Sequence, residues 1–258
     1  MSTNEHKNSI LWIQNQPIEI DLAEGVDISI PYHNGINQVN CFYAPLFSFE
    51  PVRMGAFVGS VKEGGPVNYT NVKLNIHGNG THTECVGHIS EEWISINQRL
   101  MQPFLLSQLI SLYPTKRENG DRVIERHTLE HLMDLPIIEE ALIIRSLPNV
   151  EEKRFYKYSG TNPTYFSVEA MEFLVEAKIK HLLVDIPSVD REEDEGALAA
   201  HKKFWQGDRA KLCTITELIF VPDKIKDGKY VLFLQTAPME MDAVPSRPVL
   251  FRILNETN

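Results

Sequence analysis

The segment HGNGTHTECVGH, residues 77–88, places three histidines, a glutamate, a cysteine and three glycines in twelve positions. Imidazole and carboxylate groups are ligands for zinc and manganese, and a catalytic centre leaves one position open for water or substrate. His82 and Glu84 are two residues apart, so on an extended strand both side chains point to one face. His88 follows four residues later, beyond Gly87, where a turn can bring it alongside. Gly78 and Gly80 admit backbone conformations that other residues resist. Two isolated histidines in a polar turn would carry no signal. This density on a glycine-rich strand end points to a metal or catalytic site. Cys85 adjoins the carboxylate, but neighbouring strand residues alternate faces, so it is expected to pack behind the site.

Other polar residues stand in informative places. Glu217 lies in the apolar stretch CTITELIFV, and a carboxylate there should not be buried without a metal or a positive neighbour. His201, taken alone, reads as a surface residue on a basic helix. Asp185 and Asp190 bracket IPSV at a strand end, where α/β sites often lie, and are expected to be structural or to support the site. Arg247 is expected to hold a carboxylate or a backbone turn. Tyr32, Phe42 and Tyr43 suit either an aromatic pocket or an ordinary core.

The elements that must position these residues read as mixed α/β. VDISIPYH (26–33) alternates like a half-buried strand, and the Gly-Gly-Pro-broken run 51–80 carries hairpin signals. The histidine cluster is expected at the end of the strand NVKLNI. ALIIRS (141–146) and HLLVDI (181–186) read as buried strands. Between them SVEAMEFLVEAKIK (167–180) places Val168, Met171, Phe173, Leu174 and Ala177 on a helical stripe, with Ser167 as N-cap. Strand–helix–strand of this kind suggests a βαβ crossover. DREEDEGALAAHKKFW (190–205) reads as a second helix, its acidic run Glu192–Glu195 a solvated start favoured by the helix dipole. KYVLFLQTAP (229–238) and RPVLFRIL (247–254) read as closing strands.

Composition bounds the function classes. With 258 residues, 43% of them hydrophobic and 23% charged, the chain can bury a sizeable core without a metal staple. A formal charge of −10 argues against a nucleic-acid footprint, which needs clustered Lys and Arg. No apolar run reaches the roughly 18 residues of a membrane span, and the N-terminus has no secretory h-region. Three cysteines, odd in number and far apart, read as reduced thiols in a cytoplasmic protein.

The motif GTHTECVGH resembles the His-x-Gly-Thr-His-x-Asp-x-Pro-x-His signature of the cyclase-family metal-dependent hydrolases, which include arylformamidases and isatin hydrolase. VDISIP, LLVDIPSVD (182–190), His201 with TELIFV (216–221), and APMEMDAVPSRPVLF (237–251) are similar to later family segments in the same order. The resemblance implies a single cyclase-like (swivelling β/β/α) α/β domain with mixed sheets over residues 26–258, preceded by an N-terminal arm, 1–25. It implies metal ligands at His82, Glu84, His201 and Glu217, with His88 as the acid/base group and zinc or manganese as cofactor. It also implies a homodimer or homotetramer, and the apolar arm residues Ile10, Leu11, Trp12 and Ile13 pack on their own domain or, by preference, cover a neighbour.

The chain departs from that pattern in its first ligand. The family histidine four residues before His82 is replaced by Gly78. His77, one position early, would face the wrong side of a regular strand, and a bulge at residues 78–80 is expected to turn it inward. Asn79 is the alternative ligand, weaker for zinc; a third possibility leaves the place unfilled. Glu84 replaces the usual aspartate and Val86 the usual proline. The expected activity is hydrolysis of a small amide, lactam or ester, with histidine (unperturbed pKa about 6.5) suited to both taking and giving the proton. The rival readings are a non-catalytic metal- or ligand-binding member of the same fold and a metal-dependent lyase or cyclase.

Overall fold

Unbroken apolar runs need cover on both sheet faces, and alternating ones on one face only. The computed structural model, which describes residues 8–100, 102–133 and 137–255, meets both needs with a closed sheet. Its ring strands are β1 (His82–Glu84), β2 (Phe104–Leu112), β3 (Ala141–Ser146), β4 (His181–Val184), β5 (Thr214–Glu217), β6 (Gly228–Thr236) and β7 (Ala243–Arg252). The order around the ring is β6-β2-β3-β4-β5-β1-β7, and β7 pairs back to β6 to close it. Strands β2 to β5 run parallel to one another, whereas β1, β6 and β7 join antiparallel. The α-helices are α1 (Ile76–Asn79), α2 (Arg126–Leu132), α3 (Val168–Glu176) and α4 (Ala199–Phe204). This is the expected mixed α/β architecture.

Both faces of the parallel strands are buried. Ile143 and Leu183 face the ring interior with Leu105, Leu109, Leu232 and Leu250. Leu142, Ile144 and Leu182 face outward against Met171, Leu174 and Phe204 of the crossover helices. The β3–α3–β4 unit is the expected crossover, with β3 and β4 parallel. Ser167 caps α3 as expected, its hydroxyl accepting from the Ala170 N–H at 3.2 Å. The helix stops at Glu176 because Lys178 takes a positive φ of 62°.

Two expectations about elements are corrected. The helix expected over 190–205 forms only at Ala199–Phe204. Leu198 sits at φ 46°, a left-handed conformation that a helix cannot continue through, and Glu192 is drawn away to accept from the Gly160 N–H. The acidic run is therefore a loop. The strand expected over 26–33 is regular only at Val26–Asp27, beyond which a single bridge joins Ser29 to Ile219.

The arm forms a hairpin, Asn8–Ile13 with Gln16–Asp21, turned by Gln14 and Asn15 at positive φ. Its inward face, Leu11, Ile13, Ile18 and Ile20, packs on Leu106, Val231 and Phe251, covering the antiparallel side of the ring. Its outward face leaves Ile10 63% and Trp12 73% exposed. Residues 1–7 of the expected arm lie outside the described residues. Among the described residues no helix is long and apolar enough to cross a membrane.

Because Ile20 is fully buried on that ring face, Ile20→Ala is expected to cost about 2–5 kcal/mol in urea unfolding. A change below about 0.5 kcal/mol would mean that the hairpin is not part of the cooperative fold.

Candidate metal centre

Strand β1 lies where the parallel half of the ring meets the antiparallel half. It pairs with β5 on one side, His82 opposite Glu217 and Glu84 opposite Ile215. On its other side it pairs with β7, Glu84 opposite Ala243. Only three residues are extended, because a helical turn precedes them and a 3₁₀ turn, Val86–Ile89, follows. Each flanking turn delivers a histidine. His77 comes from α1, His88 from the 3₁₀ turn, and His201 from α4 across the sheet edge.

These side chains converge on Glu84, which is fully buried. His201 Nε2 lies 3.0 Å from Glu84 Oε1, and His77 Nδ1 lies 3.2 Å from Glu84 Oε2. His88 Nε2 is 3.9 Å from the same Oε2. Glu217 joins through His82, whose Nε2 is 3.4 Å from Glu217 Oε2, and lies 4.0 Å from His201 Nε2 through Oε1. Two triads, His77–Glu84–His88 and His82–Glu84–Glu217, each bring one ligand atom per residue within 4.8 Å of the others and share Glu84. All six residues singled out in the sequence are thus brought together.

The hydrogen bonding tests whether these side chains suit a cation. His82 Nδ1 is 3.0 Å from the Gly80 carbonyl, to which it can only donate, so in a neutral ring the lone pair lies on Nε2. That lone pair faces the Glu217 carboxylate, and neither His82 Nε2 nor Glu84 Oε2 has a hydrogen-bond partner although both atoms are buried. Two acceptors facing each other in a dry site repel unless a cation or proton lies between them. The donor set of imidazoles and carboxylates therefore fits a divalent cation.

The electrostatics agree. Burial alone would pull His201 down, but Asp190 and Glu84 outweigh it and raise it to about 10. His77 is likewise raised to about 10, by Asp242 and Glu84 against burial. Burial opposes ionisation of Glu84, yet the His201 and His77 rings hold its carboxyl well below the usual range. Without a cation, protons on His77 and His201 balance the carboxylates.

The bulge expected at residues 78–80 does not form. Residues 76–79 form a helical turn, capped by Asn75 Oδ1 accepting from the Gly78 N–H at 2.9 Å. The turn aims His77 at Glu84. A Cβ on Gly78 would meet the Ala44 Cβ at 2.5 Å, so position 78 has no room for a side chain. Asn79 is committed elsewhere: its Oδ1 accepts from the Asn75 N–H at 2.7 Å and its amide donates to the Pro45 carbonyl at 3.1 Å.

The remaining expectations separate cleanly. Cys85 lies behind the site with Ile96 and Val244. Asp190 supports the site: it accepts from His201 Nδ1 at 2.6 Å and from the Ala200 and His201 N–H groups that begin α4. Asp185 is structural, paired with Lys153 at 2.8 Å and accepting from the Ser146 N–H. Arg247 holds the Asp27 carboxylate at 2.7 Å. Tyr32 packs its ring over Gly80, while Phe42 and Tyr43 lie exposed on a loop bonded to α1 through Cys41 N–H and the Gly78 carbonyl. One residue was not singled out from the sequence. Asp242, immediately before β7, places Oδ2 3.5 Å from His77 Nε2 and 3.4 Å from His88 Nδ1. No local signal marks it; only the β1–β7 register brings it there.

Residues 26–191 match the family model described as putative cyclase. The chain belongs to that family. Among curated proteins it is 27% identical to a kynurenine formamidase of Bacillus thuringiensis (strain Al Hakam) over 88% of this chain and 97% of the relative. It is 26% identical to a kynurenine formamidase of Bacillus cereus over the same shares. Among solved structures, a protein described as a predicted metal-dependent hydrolase from Bacillus stearothermophilus superposes with a TM-score of 0.63 at 17% identity, over 88% of this chain and 98% of the other. An isatin hydrolase bound to the product analogue thioisatinate gives 0.63 at 15% identity, over 90% and 93%. These likenesses confirm the cyclase-like fold.

Asp190 ties two backbone N–H groups and one imidazole to a single buried carboxylate. Asp190→Ala is expected to destabilise the protein by about 3–5 kcal/mol, measured by denaturant unfolding, with Asp190→Asn losing less because its amide oxygen still accepts. A loss below about 1 kcal/mol in Asp190→Ala would show that water replaces the carboxylate without penalty.

Proposed function

We propose that the protein is a metal-dependent hydrolase of a small amide, lactam or ester, with arylformamide-type substrates the nearest class. The observation that carries this reading is the buried His82 Nε2, which has no hydrogen-bond partner and faces the Glu217 carboxylate at 3.4 Å, beside Glu84 Oε2, which also makes no hydrogen bond. The curated relatives named kynurenine formamidase supply the reaction class.

His77, His82, Glu84, His201 and Glu217 would hold the cation, zinc or manganese. Bound there, it would supply Lewis-acid polarisation of a carbonyl and a lowered pKa for water. The protons that His77 and His201 keep up to about pH 10 must leave when the cation enters. Cation binding therefore releases protons and tightens as pH rises. His77 and His88 are 26% and 29% exposed, which marks their side as the open one. From there His88 Nε2 takes a proton from the attacking water. Its oxygen bonds to the substrate carbonyl carbon, the carbon–nitrogen or carbon–oxygen bond breaks, and His88 returns the proton to the leaving atom. The buried floor formed by Glu84, Glu217 and His82 keeps water from the far side.

The purified protein is expected to contain a stoichiometric divalent metal and to cleave members of a panel of N-formyl anilides, lactams and small esters. His88→Ala should retain the metal while losing about 10²–10⁴-fold in turnover. His77→Ala and His82→Ala should lose metal affinity. Full metal content together with full activity in His82→Ala would overturn the mechanism.

We also propose that the protein assembles as a homodimer or homotetramer, supported by the exposed Ile10 and Trp12 on the outer face of the arm. Sedimentation at micromolar concentration is expected to show a species larger than the 29.5 kDa chain, and monomer alone would refute it.

A further inference from the structure

The His77 and His88 rings stand side by side, their centroids 4.3 Å apart and their planes tilted by 35°. One carboxylate oxygen lies on each side of the pair. On the inner side, Glu84 Oε2 is 3.2 Å from His77 Nδ1 and 3.9 Å from His88 Nε2. On the outer side, Asp242 Oδ2 is 3.5 Å from His77 Nε2 and 3.4 Å from His88 Nδ1. Each ring therefore turns one nitrogen to Asp242 and the other to the buried centre.

We propose that Asp242 is a positioning residue that sets the tautomer and the facing of both rings at once. A neutral imidazole has one N–H and one lone pair, so an acceptor fixed beside one nitrogen puts the lone pair on the other. Once a cation on the inner side replaces the proton that His77 Nδ1 shares with Glu84, Asp242, acting on opposite ring atoms of the two histidines, directs the His77 lone pair to Nδ1 and the His88 lone pair to Nε2. Both then point inward, one as a ligand and one as a proton acceptor. The part of this role that concerns turnover rests on the hydrolase reading above; the part that concerns ring orientation does not.

The backbone holds Asp242 in place for this. Its carbonyl accepts from the Cys85 N–H at 3.0 Å, and the next residue, Ala243, pairs with Glu84. The outer carboxylate thus directly precedes the strand that is paired in register with the inner one. Gly87 makes the approach possible, since a Cβ there would meet the Asp242 Cβ at 3.1 Å and the Ile94 carbonyl oxygen at 2.2 Å. Carboxylate–histidine–metal arrangements fix ring orientation in the same way, and loss of the outer carboxylate costs about 10–100-fold in metal affinity.

The experiment compares wild type, Asp242→Ala and Glu240→Gln. Glu240, which bonds Asn97 and touches none of these rings, controls for the loss of one charge nearby. In zinc-loaded, ring-¹⁵N-labelled wild type, nitrogen–proton correlations are expected to show His77 protonated at Nε2 and His88 at Nδ1. In Asp242→Ala, which has no acceptor at this place, both rings redistribute, zinc affinity measured against a chelator falls about 10–100-fold, and kcat drops with KM within twofold. Glu240→Gln leaves all three readouts at wild-type values. Wild-type tautomers in Asp242→Ala, or equal losses in Glu240→Gln, overturn the proposal. Should Asp242→Ala fail to fold by circular dichroism, Asp242→Leu carries the same readouts. Absence of turnover in wild type would defeat the hydrolase reading, while the tautomers and zinc affinity would still decide the role of Asp242.

Discussion

A carboxylate buried without solvent, Glu84, is the constraint around which the rest is arranged. Ionised and alone, it would cost several kcal/mol in a dry interior. Three imidazoles from three separate elements meet it within 4 Å and hold it ionised. That requirement explains the shape of β1. A longer strand would carry the residues flanking His82 and Glu84 away along the sheet. A strand of three residues between a helical turn and a 3₁₀ turn folds His77 and His88 back over the same carboxylate.

The ring supplies what β1 cannot. Its parallel half is covered by α2, α3 and α4, and the same side that buries the core also brings α4 and His201 to the edge of β5. His201 is held by Asp190 rather than by the helix alone, because α4 is too short to fix a side chain by its own packing. Asp190 does two jobs with one carboxylate: it caps the start of α4 and orients the ring that meets Glu84. Stability and site geometry are therefore coupled at this residue. On the opposite side of the ring, the arm hairpin performs the covering role that the helices perform on the parallel half.

Much of this was legible in the residue pattern. The unbroken runs at 141–146 and 181–184, the striped helix with its serine cap, and the period-two placement of His82 and Glu84 all follow from local rules. The failures share a cause. Residues 190–198 carry the composition of a helix start, acidic then apolar, yet Asp190 is claimed by His201 and α4 ten residues on, which leaves the chain between them to loop. The setting of His77 depended on whether residues 76–79 coil or bulge. Asn75 decides it through one side-chain hydrogen bond, and Gly78 fits because Ala44 leaves no room for a Cβ. Asp242 was invisible for a plainer reason. Its significance comes from the pairing of Ala243 with Glu84, a register 159 positions apart in the chain that no local pattern reports.

Two of the three departures from the family signature meet across one contact. His77 stands one residue earlier than the usual first ligand, and Glu84 is one methylene longer than the usual aspartate. These are the two groups that approach to 3.2 Å. An aspartate at position 84 would end about 1 Å short of its present oxygen position, since a methylene adds one carbon–carbon bond. A histidine at position 78 would strike Ala44 and the Cys41 carbonyl. With the imidazole carried one residue earlier on a helical turn, the longer carboxylate of Glu84 reaches it. The turn keeps the outer nitrogen of His77 within reach of Asp242 and its inner nitrogen within reach of the buried centre.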